Sequence, residues 1–407
     1  MRPVRCPADS GDPGVSVWRA TLAGLCASLA GIGLARFAYT ALMPALVAEQ
    51  WFPASQAAYL GAANLAGYLA GALAAPRIAG AAPVAVVLRA MMLLAAASFF
   101  ACAQPLSFAW FFVWRFAAGV SGGALMVLAA LAVLPYVPAS RRGLAAGVIF
   151  TGVGLGIIMS GTLVPLLFRF GLGTTWEGLG LLSLLVTVLA WGGWPKAATP
   201  PVPDPQRHNR SAASNAALRA LYVEYGLNAV GLVPHMIFLV DFIARGLGQG
   251  LEAGGRYWVV FGLGAVAGPI LAGCLADRVG FRAALRLAFL AQGLAIGLVV
   301  LTDRPLALMA SSAIVGAAVP GVVPLALGRV QELVEGDRGR KAAWSLCTAA
   351  FALGQAIAAY VFACVFERSD GGYLPLFAAG AGALLLALAI DLVWPRTPRV
   401  PNREVME

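Results

Sequence analysis

Twelve apolar segments, each long enough to cross a bilayer as a helix, dominate this chain, and short polar gaps separate them. A helix needs about 20 apolar residues to cross the hydrocarbon core, so these segments predict twelve transmembrane helices. Since 60% of the 407 residues are hydrophobic and only 11% are charged, the pattern excludes a soluble domain of this length. The predicted spans lie near 18–48, 55–75, 83–103, 106–134, 143–168, 172–194, 218–243, 253–276, 283–302, 306–330, 340–366 and 371–394.

The spans form two sets of six, separated by a polar stretch with many prolines between residues 195 and 210 that reads as an extended linker. The first span is too long for a signal-peptide core and is expected to remain in the protein. The predicted organisation is a cytosolic N-terminal tail over 1–17, a six-helix bundle over 18–194, a cytosolic linker over 195–217, a second six-helix bundle over 218–394 and a cytosolic C-terminal tail over 395–407.

Basic residues are distributed unequally between the two sides of the predicted membrane. With a cytosolic N-terminus, most arginines and lysines in the gaps and tails fall on the cytosolic side, which predicts that both termini are cytosolic. The net charge of +10 lies in these gaps rather than along one helix face, so nucleic acid is not an expected partner. The gaps on the other side carry only Arg169, Arg245, Arg256, Arg304 and Arg368.

A short basic turn between two spans occurs once in each half of the chain. The C-terminal copy runs from Gly273 through Asp277, Arg278 and Gly280 to Arg282. Glycines allow two helices to approach closely, and the carboxylate of Asp277 can cap a helix start. The N-terminal copy over 71–80 is degraded, since Ala and Pro occupy the Asp-Arg positions. A turn repeated at half the chain length indicates a duplication.

The G-x-x-x-D-R-x-G-x-R pattern of the C-terminal copy resembles the loop signature of major facilitator superfamily transporters. The resemblance implies an all-α membrane fold of twelve helices in two pseudo-symmetric six-helix bundles. It also implies that Asp277, Arg278, Gly280 and Arg282 form a gating loop, and that spans one, four, seven and ten line a central cavity. Arg115 with Gly119 is similar to the superfamily's fourth-helix R-x-x-x-G motif, which is linked to substrate or proton coupling in some members.

Two phrases are similar to the bacterial YbfB/YjiJ subfamily. The first is Gly-Ile-Gly-Leu-Ala-Arg-Phe-Ala-Tyr-Thr, which begins at Gly31, and the second includes Tyr59, Gly61, Asn64, Gly67 and Tyr68. The stretch from Thr151 and the Gly354-Gln355 pair agree with that subfamily, so the resemblance covers both halves. It implies a transport role in the bacterial cytoplasmic (inner) membrane and names no substrate.

The fifth span carries small residues mostly at four-residue spacing: Gly143, Gly147, Gly152, Gly156 and Ser160. Small residues at this spacing let two membrane helices approach closely. The stretch also loosely resembles the fifth-helix motif of proton-coupled efflux pumps, but it lacks the Gly-Pro pair of that motif, so packing is the preferred interpretation.

Polar residues inside the N-terminal spans are candidates for solute binding, because lipid rejects such side chains. Arg36 lies in the middle of span one with Tyr39 and Thr40 on the same face. The alternative is an arginine held by backbone carbonyls of a neighbouring helix. Arg115 is the second candidate, unless span four starts later and leaves it near the outer surface. Asn64 and Tyr68 of span two are weaker candidates.

In the second half, span seven carries the polar candidates. Asn228 and His235 are seven residues apart and are expected to share a helix face, and His235 can exchange protons near neutral pH. A buried histidine with only a packing role is an equal alternative. Glu224 is either a proton-coupling carboxylate or a solvated residue at the helix start. Asp241 is a proton-coupling candidate or the partner of Arg245 in an interface ion pair, and Gln355 of span eleven adds a buried amide.

The combined prediction is a secondary active transporter that moves a small solute by alternating access between the two bundles. Two buried arginines favour an anionic or carboxylate-bearing solute. Proton coupling through His235, Glu224 or Asp241 is a further hypothesis. The expected partners are the solute, protons and the lipid bilayer, with a monomeric chain and no cofactor or metal.

Three alternatives remain at the level of sequence. The first is a proton-antiport efflux pump for drugs or metabolites, and the second is a non-transporting membrane sensor. The third, a membrane-embedded enzyme, would need a nucleophile–base or metal constellation, and the chain shows no such cluster. ATP-driven transport is not expected, because the chain has no G-x-x-x-x-G-K-[ST] loop.

Overall fold

The computed structural model describes residues 16–138, 141–195, 216–334 and 337–393. Twelve helices in this part of the chain are long and apolar enough to cross a membrane, and no strand occurs among the described residues. The predicted tails over 1–17 and 395–407 and the predicted linker over 195–217 lie almost entirely outside the described residues. The helices are α1 Val17–Ala48, α2 Ala54–Ala81, α3 Val84–Ala101, α4 Phe108–Tyr136, α5 Arg142–Phe168, α6 Leu172–Ala190, α7 Ala216–Gly246, α8 Gly250–Val279, α9 Phe281–Leu301, α10 Pro305–Leu333, α11 Asp337–Arg368 and α12 Leu374–Val393.

Within each half of the chain, successive helices are joined by short connections and alternate in direction, so their ends fall on two sides of the molecule. We call the side with the start of α1 and the end of α12 the termini side, and the other the opposite side. On the opposite side lie the short loops that follow α1, α3, α5, α7, α9 and α11.

The first helix of each half contains wide π turns. In α1 the α-helical segment Val17–Ser28 is followed by a π turn over Leu29–Leu34 and a short break before Ala38. In α7 the π turns cover Pro234–Phe238 and Phe242–Gly246. Such turns interrupt the regular i to i−4 hydrogen bonding and frequently mark functional sites. Both broken helices carry predicted site residues beside these turns.

The helix pairs α2–α4 and α8–α10 occupy equivalent positions in the two halves, and in each pair the two backbones approach closely at a glycine. A Cβ atom built on Gly67 of α2 would lie 2.0 Å from the carbonyl oxygen of Phe116, and one on Gly268 of α8 would lie 1.9 Å from that of Ala317. Any larger residue at these two positions would push the helices apart. The same helix pair therefore packs in the same manner in both halves, as a duplicated chain requires.

The two bundles meet along two seams, in which α5 packs on α8 and α2 packs on α11. At the first seam a Cβ atom on Gly154 would lie 2.9 Å from the backbone nitrogen of Val266. The other face of α5 packs on α1, where a Cβ atom on Gly156 would lie 2.5 Å from the Cα atom of Gly33. The predicted packing role of the small residues in span five is therefore confirmed for Gly152 and Gly156, whereas nothing lies within 4 Å of a Cβ atom built on Gly147.

Candidate functional site

Arg115 and Asn64 both donate to one backbone carbonyl in the N-terminal half, that of Ala35. Arg115 of α4 donates from Nη1 to the carbonyl oxygen of Ala35 at 2.9 Å. Asn64 of α2 donates from Nδ2 to the same oxygen at 3.4 Å and to the carbonyl oxygen of Arg115 at 3.1 Å. Ala35 lies in the break of α1, directly before Arg36. Three helices are thereby tied together where α1 loses its regular hydrogen bonding.

Aromatic rings cover both guanidinium groups. The Cζ atom of Arg36 lies 4.8 Å from the ring centre of Tyr68 and 5.1 Å from that of Phe37, and the Cζ atom of Arg115 lies 4.3 Å from that of Tyr39. Aromatic faces attract cations, so the rings compensate part of the desolvation of the two arginines. Tyr39 donates its hydroxyl hydrogen to the carbonyl oxygen of Ala57 at 2.6 Å, which holds its ring in place.

Neither arginine takes part in an ion pair among the described residues. Arg115 is only 2% exposed and is not near the outer surface, which was one of its alternatives. The Nε atoms of both arginines and Nη2 of Arg115 are buried and make no hydrogen bond within the described part of the chain. The site therefore holds two positive charges and unused donors, a combination that suits an anion.

Met236 of α7 links this cluster to the C-terminal half. Its carbonyl oxygen accepts a hydrogen bond from the hydroxyl of Thr40. Its Sδ atom lies 3.9 Å from Nη2 of Arg36 and 3.5 Å from Nε2 of Gln355, which belongs to α11. Sequence reasoning missed Met236, since an apolar residue in an apolar span carries no signal of its own. The neighbouring Pro234, which begins the π turn, is the one local hint.

The other span-seven candidates face different surroundings. His235 is fully buried in the C-terminal half, where its Nε2 atom lies 2.8 Å from the Ser311 hydroxyl of α10 and its ring meets the edge of Phe377 of α12. Asn228 is also fully buried, and neither polar atom of its side chain is hydrogen bonded within the described part of the chain. The π turn begins between these two residues, so their seven-residue spacing does not translate into a regular α-helical face.

Asp241 forms the ion pair with Arg245 that the sequence offered as one alternative. Nε and Nη2 of Arg245 donate to the two carboxylate oxygens at 2.5 and 2.6 Å, and the hydroxyl of Tyr373 donates to Oδ2 at 2.7 Å. Tyr373 lies just before α12, and burial together with the charge of Asp241 raises the pKa of its phenol above the ordinary value. The phenol therefore stays protonated and keeps donating to the carboxylate.

Glu224 is buried on the termini side rather than solvated at the helix start, which was one of its two alternatives. It lines a small cavity together with Arg282, Arg329 and Asp391. Nε of Arg282 donates to Oδ1 of Asp391 at 2.9 Å, and Arg286 donates to Oδ2 of the same carboxylate. The carboxylate of Glu224 therefore lines the same cavity as an ion-pair network that joins α9 to α12, with Arg329 of α10 also in the cavity wall.

The predicted gating loop is the tight connection between α8 and α9. Asp277 and Arg278 belong to the last turns of α8, and Gly280 turns the chain with a φ of +82° before α9 begins at Phe281. The expected capping role of Asp277 is wrong, since Gly280 occupies the position before α9 and Asp277 lies within the preceding helix. Arg282, in the first turn of α9, reaches Asp391 at the end of α12.

Comparison with known proteins identifies the family. The family model described as "Uncharacterised MFS-type transporter YbfB" matches residues 28–392, which is nearly the whole chain. The chain belongs to the YbfB-type family of major facilitator superfamily transporters. The resemblance in the Arg36 and Asn64 phrases is thereby confirmed, and this YbfB-type chain is a multi-pass membrane protein and a secondary transporter. No functionally curated protein matches the chain in sequence.

Solved transporter structures share the fold of this YbfB-type chain. The nucleoside transporter NupG superposes with a TM-score of 0.73 at 15% identity, covering 92% of this chain and 99% of that one. A bacterial homologue of the human lysosomal transporter Spinster, in an inward-facing and occupied conformation, has a TM-score of 0.70 at 16% identity, covering 92% and 95%. At this identity the likeness shows the fold alone, and it confirms the predicted twelve-helix architecture.

Proposed function

We propose that this transporter moves a small anionic, carboxylate-bearing solute, which binds between Arg36 and Arg115. The observation that carries the proposal is a pair of arginines, Arg115 buried and Arg36 partly buried, without an ion-pair partner among the described residues. A buried charge without a partner is costly, and an anion that binds both guanidinium groups removes that cost. Arg36 also contacts Met236 of the other half, so the solute would lie where the two bundles meet.

Further polar side chains would complete the site on both sides of the arginines. Tyr39, Thr40, Asn64 and Tyr68 surround the arginines in the N-terminal half. In the C-terminal half, Asn228 and Gln355 have buried polar atoms that make no hydrogen bond within the described part of the chain, and His235 has a buried Nδ1 of the same kind. We propose that these groups hydrogen bond the polar part of the solute. The contacts of His235 described above, with Ser311 and Phe377, lie within the C-terminal half, away from the arginines.

Alternating access would proceed by movement of one bundle against the other about this centre. Contacts between the bundles support a state closed on the opposite side: Arg169 pairs with Glu252 at 2.6 Å, and Tyr59 donates to Glu367 at 3.0 Å. On the termini side, we propose that the gating loop from Asp277 through Arg278 and Gly280 to Arg282 changes its contacts between the states.

We propose that the chain acts as a monomer in the bacterial inner membrane, with both termini in the cytosol. The unequal distribution of basic residues supports this orientation. We also propose proton coupling, with Glu224 as the leading carrier, because it is a buried carboxylate in a small cavity that Arg282 and Arg329 also line. Asp241 and His235 are the other candidates, and both already have hydrogen-bonding partners within the C-terminal half.

The test is a thermal-shift screen of the purified protein in detergent, followed by uptake into proteoliposomes. Organic acids, amino acids, sugars, nucleosides and cationic drugs would be compared, since a ligand that binds the folded state raises its apparent stability. We expect a carboxylate to stabilise the wild type and the control Arg304→Gln, whose side chain is exposed in a loop, but not Arg36→Gln or Arg115→Gln. Stabilisation by cationic drugs alone, unchanged in the arginine variants, would contradict the proposal and favour the efflux alternative.

A further inference from the structure

A groove with a volume of about 460 Å³ opens on the opposite side, at the seam between α5 and α8. Its walls come from one helix of each bundle. The floor is formed where the two helices touch, since a Cβ atom built on Gly255 would lie 2.5 Å from the carbonyl oxygen of Gly161. None of the solute-site residues described above lines this groove.

The mouth of the groove is positively charged. Arg169, which directly follows α5, lines it together with Arg256 and Glu252 of α8, and all three side chains are exposed. Nη2 of Arg169 lies 2.6 Å from Oε1 of Glu252, so this pair is neutral. Arg256 belongs to none of the ion pairs among the described residues, and it leaves one net positive charge at the mouth.

Below the mouth the walls are mostly apolar. Thr162 and Leu166 are exposed on α5, seven and three residues before Arg169, and therefore lie on the same helix face. On α8, Val259 comes three residues after Arg256 and lies on the same helix face. Since an α-helix rises 1.5 Å per residue, the groove runs about 10 Å from the charged mouth into the hydrocarbon region.

We propose that this groove binds one anionic phospholipid, with the phosphate between Arg256 and Arg169 and one acyl chain along the wall of Thr162, Leu166 and Val259. The charge of the mouth complements the headgroup, and the apolar walls continue into the bilayer where the acyl chain lies. A soluble phosphate would leave the walls uncovered, and a zwitterionic lipid would not neutralise the mouth.

The bound lipid contacts both bundles, so it stabilises the state in which the seam between α5 and α8 is closed. A ligand shifts an equilibrium between conformations only by its different affinity for them, and the groove exists only while α5 and α8 touch. The lipid would thus influence how readily the bundles separate on the opposite side, whatever the identity of the solute.

The experiment uses the full chain, delipidated in detergent, and follows its thermal unfolding with phosphatidylglycerol, phosphatidylcholine or glycerol phosphate. We expect phosphatidylglycerol to raise the unfolding temperature in a saturable manner and the other two to have little effect. Binding to the variant Arg256→Gln should be about five-fold weaker, the loss expected for one basic residue near a lipid headgroup. Arg304→Gln removes an exposed arginine on the same side but outside the groove, and it should bind as the wild type does.

Four outcomes would overturn the proposal. Equal stabilisation by phosphatidylcholine would show that headgroup charge is not recognised, and equal stabilisation by glycerol phosphate would show that the apolar groove is not used. An Arg256→Gln variant with wild-type affinity for phosphatidylglycerol, or an equal loss in Arg304→Gln, would show that the lipid is not held at this mouth. Because Arg256 is exposed, its substitution should leave folding intact, and the unfolding temperature without lipid checks this.

Discussion

Nη1 of Arg115 donates a hydrogen bond to the carbonyl oxygen of Ala35 at 2.9 Å, across the interface of α4 and α1. The acceptor lies directly before Arg36, so the bond fixes the position of one buried arginine relative to the other. Asn64 donates to the same carbonyl at 3.4 Å. Neither arginine is paired with a carboxylate among the described residues, which leaves both charges available to an anionic solute.

This relationship predicts a separation between stability and binding in Arg115→Met. The variant loses one hydrogen bond to Ala35, whose carbonyl keeps the donor of Asn64, and it also loses a buried charge without an ion-pair partner, so the net change in stability should be within about 1 kcal/mol. Binding of a carboxylate solute should weaken by at least about ten-fold, since a charge-assisted hydrogen bond contributes about 1.5–3 kcal/mol. Thermal unfolding and equilibrium binding measure the two effects. A large loss of stability with unchanged affinity would assign Arg115 a purely structural role.

Close packing of α2 on α4 predicts a strong effect of Gly67→Ala. The added Cβ atom would lie 2.0 Å from the carbonyl oxygen of Phe116, so the two helices must separate and the unfolding temperature should fall by several degrees. Gly147→Ala is the matched control, because nothing lies within 4 Å of its added Cβ atom and alanine is a better helix former. Similar unfolding temperatures of the two variants would contradict the close approach.

The turn between α8 and α9 predicts a cost for Gly280→Ala. Gly280 has φ +82° and ψ 159°, a conformation that is nearly restricted to glycine, and strain of about 1–3 kcal/mol is expected for alanine. Gly273→Ala, a helical position with nothing within 4 Å of the added Cβ atom, should be tolerated. Thermal unfolding of both variants tests this, and an unchanged Gly280→Ala would show that the turn adopts another conformation in the protein.

The proposed role of Glu224 predicts a selective loss of coupling in Glu224→Gln. The substitution keeps the size of the side chain but replaces its titratable carboxyl group with an amide. Uptake driven by a pH gradient should therefore be lost, while solute exchange at equal pH on both sides continues. Proteoliposome assays distinguish the two modes, and Asp303→Asn in an exposed loop serves as the control. Gradient-driven uptake at the wild-type rate in Glu224→Gln would remove this residue from the coupling mechanism.

The ion pair of the buried Asp241 with the partly buried Arg245 predicts that Asp241→Asn is destabilised more than Tyr373→Phe. The first variant leaves Arg245 without its carboxylate, whereas the second removes one hydrogen bond of 2.7 Å, worth about 1 kcal/mol. Thermal unfolding of both variants, and of the double variant, measures the difference and the coupling between the residues. Equal effects would mean that the ion pair contributes little beyond the hydrogen bond.

The number of helices and their bounds could be predicted from the sequence, because in lipid the requirement for long apolar segments acts on each helix separately. The packing of Gly152 and Gly156 of α5 was also predictable, since small residues four positions apart lie on one face of the same helix. The family could be predicted from the sequence segments around Arg36 and Asn64, because such local motifs can be recognised without the structure.

Only the tertiary structure decided the contacts of the buried polar residues. Arg115 donates to Ala35, and Met236 contacts Thr40, Arg36 and Gln355. These contacts depend on which helices lie side by side and on the π turns in α1 and α7. The sequence likewise left Glu224 open between solvent and burial, and the approach of Arg282, Arg329 and Asp391 from three other helices resolves it. Apolar periodicity is a property of one helix, whereas the partners of a buried charge are a property of the assembled bundle.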